Sequence, residues 1–223
     1  MTPTNWPCPN VGGLVQEYAL TFDAARNHRL LIVPALFDEG NRLRRLTVEV
    51  MRRLDARGID SFLPDLPGCN ESLQPLERQE AASWLSAMTS AARHFGATHV
   101  LGIRGGCLFT PAGLPTWHYA PVKAAAIMRR MLRARLLSAR EAGREENRDA
   151  LAKAALAQGI ELAGYRLDAA FYRQFELMAP DAAATVVAQD CIGGAGLWLR
   201  AEPDEDSAQA DALAALMANG IAA

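Results

Sequence analysis

Short apolar runs alternate with longer amphipathic segments along most of the chain. Two short apolar runs, at 29–34 (RLLIVP) and 98–103 (THVLGI), are of the kind buried in a parallel sheet, and a further strand is predicted between them at 59–64 (IDSFLP). Between 29–34 and 59–64, apolar residues recur every three or four positions from Leu43 to Leu54, which predicts a helix over 39–57 that ends at Gly58. Strands that alternate with helices through short connections predict a mostly parallel central sheet with helices on both faces.

The remaining segments extend this α/β pattern. Residues 14–22 partly alternate and predict an edge strand, after a proline- and glycine-rich lead-in at 1–13. Further strands are predicted at 116–120, 183–189 and 196–201, and further helices at 75–95, from Gly105 onward, and at 121–141, 145–158, 168–178 and 206–219. The helical block before the late strands is too long for one crossover. We therefore expect a single domain over 1–223, with a helical cap at 121–180 over one end of the sheet.

Composition narrows the class of protein. Half of the 223 residues are apolar, enough for a sizeable core, and 23 basic residues against 25 acidic ones give a net charge of −2. This balance argues against a bulk attraction to nucleic acid or to anionic lipid, and it leaves room for a local basic patch. The sequence has no apolar stretch long enough for a transmembrane segment and no signal-peptide pattern in its first ten residues, so we expect a cytoplasmic protein. Four scattered cysteines lack metal-ligand spacing, so we expect reduced thiols, no metal and no cofactor.

The most informative junction is Gly102-Ile-Arg-Gly-Gly106, where a buried strand runs into a short helix. Its spacing is that of the nucleophile elbow, G-x-S-x-G, in which the central side chain stands on a sharp turn above the sheet. Here the central residue is Arg104, which stays protonated and cannot act as a nucleophile. We therefore expect the turn to be kept, with Arg104 in a sparsely populated backbone conformation and without the usual chemistry.

The chain resembles the exosortase A system-associated hydrolase 2 family, a branch of the α/β-hydrolase superfamily found with bacterial exopolysaccharide loci. The segments that carry the resemblance are VPALFDEGNRLRR, LPDLPGCNES, LGIRGG, WHYAPV and ELAGYRL, within roughly residues 14–205. Its more specific parts are Glu39-Gly40-Asn41 with Arg44-Arg45, and Asp65-Leu66-Pro67-Gly68-Cys69. The family's elbow also tends to carry arginine. The resemblance implies an α/β-hydrolase-like fold with a helical cap, and a role beside exopolysaccharide assembly and protein sorting.

A Ser-His-Asp triad is not evident. Asp204, after the predicted late strand, has the place of the acid, but no histidine follows His118. The leading hypothesis is therefore a catalytically degenerate protein that acts as a binding or accessory component. The alternative is a non-classical, esterase-like hydrolase of acylated or polysaccharide-related substrates. Its candidate catalytic residues are Cys69, Asp65, His118 and Asp204.

Arg104 also defines a candidate binding site for a small anionic or saccharide ligand. Its guanidinium, a helix N-terminus and the amides that follow would converge on a carboxylate or phosphate. The predicted ligand-binding residues are Arg104, Gly105, Gly106, Glu39 and Asn41. The alternative is that Arg104 forms an internal ion pair with Glu39, Asp65 or Glu71.

A basic segment lies within the predicted cap. Residues 123–148 contain Lys123 and seven arginines together with an apolar stripe. The simple interpretation is a solvated amphipathic helix. The alternative is a basic surface for an acidic sugar, a phospholipid or an acidic protein. The family resemblance also implies a protein partner from envelope biosynthesis.

Overall fold

The computed structural model describes residues 1–222. These residues form nine strands: β1 (Thr2–Asn10), β2 (Gly13–Phe22), β3 (Arg29–Val33), β4 (Asp60–Pro64), β5 (His99–Ile103), β6 (Thr116–Tyr119), β7 (Ile160–Leu162), β8 (Tyr165–Leu167) and β9 (Thr185–Val187). They also form seven α-helices: α1 (Asp38–Ala56), α2 (Ala81–His94), α3 (Ala124–Glu141), α4 (Arg148–Gln158), α5 (Ala169–Glu176), α6 (Gln189–Ile192) and α7 (Ser207–Ala222).

The central sheet has seven strands in the order β1-β2-β4-β3-β5-β6-β9. The strands from β4 to β9 in this order are parallel, whereas β1 and β2 form an antiparallel hairpin that joins the sheet through β4. The predicted mostly parallel sheet is therefore confirmed. No helix within residues 1–222 combines the length and the apolarity needed to cross a membrane.

Alternating side chains of the central strands supply two apolar layers. Leu30 and Ile32 of β3 belong to the layer that includes residues of α1 and α7. Leu31 and Val33 belong to the opposite layer, with residues of α2, α3 and α5. The sheet is thus covered on both faces, because a parallel strand has to bury both of its sides.

The sequence predictions fail for residues 1–13 and 196–201. The first segment is not a lead-in, because Thr2–Asn10 forms edge strand β1 with Trp6 and Cys8 buried. Its prolines lie at positions 3, 7 and 9, on one parity of the strand. A proline is tolerated in an edge strand where its missing N–H would face away from the ladder. The prolines that suggest a loop therefore protect the edge.

The predicted late strand at 196–201 is a 3-10 turn, Leu197–Leu199. Leu197 is buried in the α1–α7 layer, and the Trp198 ring lies against Tyr119, so both side chains are used in packing outside the sheet. The predicted helix at 75–95 is also divided, into a 3-10 turn at Leu76–Arg78 and α2. The short helix at the elbow is a 3-10 helix, Arg104–Phe109.

The segment from α3 to α5 contacts the loops at the carboxyl ends of the strands. Phe37, in the loop after β3, has its ring centroid 5.1 Å from that of Tyr165 in β8 and 6.0 Å from that of Phe175 in α5. A backbone hydrogen bond from Ala124 N to Met178 O joins the two ends of the segment. Helices predominate as predicted, and the small hairpin β7–β8 interrupts them.

Phe175→Ala should lower the free energy of unfolding by about 3–5 kcal/mol, because its fully buried ring contacts those of Phe37, Phe109 and Phe171. Urea unfolding measures the loss. Leu177→Ala is the control, since Leu177 follows the same helix and is 85% exposed. Its effect should stay within about 0.5 kcal/mol. Equal effects of the two changes would contradict the packing described.

Candidate functional site

The elbow that the glycine spacing predicts is present. Strand β5 ends at Ile103, Arg104 has a φ of 53°, and a 3-10 helix begins at once. A positive φ is uncommon for a residue with a β-carbon and is maintained only where the surroundings enforce it. The turn therefore holds Arg104 where α/β enzymes of this pattern present their nucleophile.

Close packing explains the glycines around Arg104. A β-carbon at Gly106 would overlap the carbonyl oxygens of Val33 and Pro34, at the end of β3. A β-carbon at Gly102 would come within 2.8 Å of the Cys107 Cα. Bare backbone at these positions lets the 3-10 helix lie directly against β3 and β5.

Protein groups contact the Arg104 guanidinium through all three of its nitrogen atoms and on one face. Its Nε and Nη2 donate to the two carboxylate oxygens of Glu39, each at 3.1 Å, and Nη1 donates to the Ala120 carbonyl at 2.8 Å. The indole of Trp198 covers its face, with Cζ 4.0 Å from the ring centroid. The structure therefore realises the internal ion pair with Glu39, one of the two interpretations that the sequence leaves open.

Glu39 is shared by a second arginine. Arg130 of α3 approaches the same Oε1 through its Nη1 at 2.5 Å. The side chains of Glu39 and Arg104 are 3% and 11% exposed, whereas that of Arg130 is 48% exposed. The cluster of these three residues therefore has one buried anion between a buried cation and a half-exposed one, and it links α1, the elbow and α3.

Asp65 and Cys69 lie in the loop after β4, away from this cluster of ion pairs. The buried Asp65 carboxylate accepts hydrogen bonds from Arg44 at 2.8 Å and from the Asn70 amide at 3.0 Å. Burial, together with the carboxylates of Asp65 and Glu17, raises the pKa of the Cys69 thiol to about 12. A thiol of this kind is almost wholly protonated near neutral pH and is a poor nucleophile.

His118 is fully buried in β6, and its Nε2 is 3.1 Å from the Thr110 hydroxyl. Its Nδ1 has no hydrogen-bond partner among residues 1–222. Burial lowers the pKa of His118, and the Asp181 carboxylate opposes that shift only in part. The imidazole is therefore neutral near pH 7, and its one hydrogen bond among residues 1–222 is to the Thr110 hydroxyl rather than to a carboxylate.

The structure does not bring the remaining predicted residues together. Asp204 forms an exposed ion pair with Arg200 in the loop before α7. Asn41 is exposed on α1. The predicted catalytic residues Cys69, Asp65, His118 and Asp204 thus have separate sets of hydrogen-bond partners.

Sequence reasoning missed Arg130, Trp198 and Phe37. Arg130 belongs to a run of arginines in which nothing distinguishes it, and Trp198 lies in the segment mistaken for a strand. Phe37 has a φ of 54° immediately before α1. No local residue pattern predicts this backbone conformation. With Leu36, Cys69 and Tyr165 it lines a small cavity of about 100 Å³ beside the elbow.

Comparison with solved structures identifies the class of fold. "Putative hydrolase from Agrobacterium vitis S4" superposes with a TM-score of 0.59 at 11% identity, over 84% of this chain and 77% of that one. Mouse α/β hydrolase domain-containing protein 10 gives a TM-score of 0.55 at 11% identity, over 79% of this chain and 70% of the mouse protein. Est1E from Butyrivibrio proteoclasticus, solved with ferulic acid, gives a TM-score of 0.51 at 16% identity, over 72% of this chain and 67% of Est1E.

The chain therefore has an α/β-hydrolase-like fold, as the sequence predicts. No family model matches the sequence, and no curated protein matches it. At these identities the structural likeness establishes the fold alone, and the activity has to be argued from the site.

The raised pKa of the Cys69 thiol predicts slow alkylation. A thiol with a pKa of about 12 has a thiolate fraction of only about 10⁻⁴ near pH 8. In native protein treated with iodoacetamide, Cys191, which is exposed, should react first and Cys69 should react mainly after unfolding in urea. Peptide mass mapping measures both sites, with Cys69→Ser as the control for peptide assignment. Equally fast labelling of Cys69 and Cys191 would favour a reactive thiol.

The lowered pKa of His118 predicts a loss of stability on acidification. A histidine with a lowered folded-state pKa favours the folded state fully above its unfolded pKa, about 6.5. That contribution decreases as the pH falls toward the folded value, because the unfolded chain binds the proton more readily. His118→Gln should therefore show a smaller loss of unfolding free energy than the wild type on acidification through this range.

Urea unfolding above and below the unfolded pKa measures this difference. His99, whose pKa is also lowered by burial and by His28, is present in both proteins and serves as the common background. Identical pH dependences of the two proteins would contradict the assignment to His118.

Proposed function

We propose that the protein is a catalytically degenerate member of the α/β-hydrolase superfamily that acts as a binding or accessory component. The observation that carries the proposal is the ion pair of Arg104 with Glu39 at the nucleophile elbow. Arginine supplies neither a nucleophile nor a general base at this position. Restoring catalysis would require more than replacing it, because its surroundings are also specialised.

Those surroundings lack the other parts of a triad. The guanidinium of Arg104 contacts Glu39, Ala120 and Trp198, and none of these is a histidine. The candidate acid Asp204 is paired with Arg200 at the surface. Nucleophile, base and acid act as a unit, so the absence of two of them from the elbow argues against the usual acyl-transfer mechanism.

The resemblance to the exosortase A system-associated hydrolase 2 family supplies the context of this proposal. Its motifs coincide with the residues of the ion-pair network. Glu39 carries the pair with Arg104, and Arg44 and Asp65 form a second pair between α1 and the loop after β4. We accordingly propose a role beside bacterial exopolysaccharide assembly, with the α3–α5 segment as a cap and an envelope-biosynthesis protein as partner.

Binding of a small anionic or saccharide ligand near Arg104 is part of the same proposal. An anion entering the cluster would meet Arg130 first, because that guanidinium is half exposed. It would then compete with Glu39 for Arg104. Of the predicted ligand-binding residues, Gly105 and Gly106 are buried, whereas Asn41 is exposed near the start of α1.

Arg104→Ser should not create a hydrolase. A serine hydroxyl needs a base within hydrogen-bond reach, and the elbow offers none. The change should leave a panel of p-nitrophenyl esters unhydrolysed and lower the free energy of unfolding by about 3 kcal/mol, the lower end of the range for a buried ion pair broken on one side, because the buried Glu39 carboxylate keeps only the half-exposed Arg130 as a partner. Arg45→Ser is the matched control, since Arg45 forms an exposed pair with Glu205 and should change stability by about 1 kcal/mol or less.

Ester turnover by Arg104→Ser would show that a competent base is present and would overturn the proposal. Turnover by the wild-type protein that is abolished by Cys69→Ser or by Asp65→Asn would instead establish the non-classical hydrolase. A characterised α/β-hydrolase esterase serves as the positive control for the substrate panel.

A further inference from the structure

The arginines of α3 divide into two groups. Arg130 pairs with Glu39, and Arg135 forms a two-point pair with Glu146 at 2.9 and 3.0 Å, so these two hold the segment together. Arg129, Arg133 and Arg140 are exposed and have no carboxylate within ion-pair distance among residues 1–222. Their positive charges are therefore not used in the fold.

These three arginines form one stripe on the helix. At 100° per residue, Arg129, Arg133, Leu137 and Arg140 fall within an arc of about 80°. The stripe lies opposite the buried positions of α3, such as Met128 and Met131, and therefore faces directly away from the protein. Leu137, within the stripe, is 58% exposed. We define these four residues as the α3 stripe.

The charge of the whole chain is also uneven, with the excess of basic residues in the segment that contains α3. Residues 121–180 contain 11 basic and 7 acidic residues, whereas the rest of the chain contains 12 basic and 18 acidic ones. The segment therefore has a net charge of +4, and the rest of the chain has a net charge of −6. Such a separation orients the molecule with the α3 side toward an extended negative surface and repels the opposite side from it.

We propose that the α3 stripe docks the protein on an anionic phospholipid bilayer. Arginine forks match lipid phosphates in two-point geometry, and an exposed leucine between them can enter the boundary of the acyl region. The stripe is the outward side of an 18-residue helix, and such a convex face suits a broad surface rather than a pocket. The nearby hollow of about 560 Å³ lies on another flank of α3, lined by Ala134 and Ser138. An acidic peptide or a soluble polyanion would need the charges but not Leu137.

The test is flotation of the full-length protein with phosphatidylcholine vesicles, with and without phosphatidylglycerol. Binding should require phosphatidylglycerol and weaken at high salt, because surface charges are screened. The Arg129→Gln/Arg133→Gln/Arg140→Gln variant should bind about a hundredfold more weakly, at roughly fivefold for each arginine near an anionic surface. Leu137→Gln keeps every charge and should weaken binding several-fold.

Arg52→Gln/Arg57→Gln/Arg93→Gln is the matched control, because it removes the same charge from exposed positions outside the segment. It should bind nearly as the wild type does. Absence of wild-type binding at low salt, equal binding to both vesicle types, or equal loss in the two triple variants would overturn the proposal. Unchanged binding of Leu137→Gln, or tighter binding to soluble polyaspartate than to vesicles, would also overturn it and would point to another class of partner.

This inference stands apart from the proposal of catalytic degeneracy. Vesicle binding depends on the α3 stripe, whereas ester turnover depends on the elbow. Either result can fail without changing the other.

Discussion

The buried ion pair between Arg104 and Glu39 is the constraint on which the rest of the site depends. It joins the end of β5 to the first turn of α1, and through Arg130 it reaches α3. Without Glu39 the Arg104 guanidinium would lose its counter-charge, and without Arg104 the buried Glu39 carboxylate would keep only the half-exposed Arg130 as a partner, so either loss destabilises the fold. The elbow keeps its positive φ, but the side chain it presents is used to hold three elements in register.

The two sides of helix α3 differ in how far the fold uses them. The side of α3 that carries Met128 and Met131 is buried with the aromatic side chains of α5, and Arg130 and Arg135 secure its flanks. The outward side is left with charges that the fold does not use. Because these ion pairs and the buried methionines hold α3 in place, the outward stripe is presented on a helix rather than on a loop, which favours a defined orientation of whatever it contacts.

The sequence predicts the parallel sheet, most of the helices and the elbow, because these depend on local hydrophobic period and on glycine spacing. It fails where tertiary packing decides the structure. The prolines of β1 resemble breakers until the strand is known to lie at an edge, and the Trp198 ring packs against Arg104 and Tyr119 instead of entering the sheet. Glu39 can be named from sequence as a partner of Arg104, but so can Asp65 and Glu71, and only the fold selects among them. Arg130 lies 91 positions from Glu39, beyond the reach of any local pattern.

The prolines of β1 have a consequence for self-association. An open sheet has two edges, and a filament that grows by strand addition needs both, since each new chain has to offer an unsatisfied edge to the next. In this sheet the β1 edge lacks amide donors at positions 3, 7 and 9, which leaves β9 as the edge that can accept a strand. Two chains could pair β9 with β9 about a two-fold axis, but that contact closes on itself and offers no further edge. The arrangement limits association through the sheet to pairs and opposes open-ended polymers.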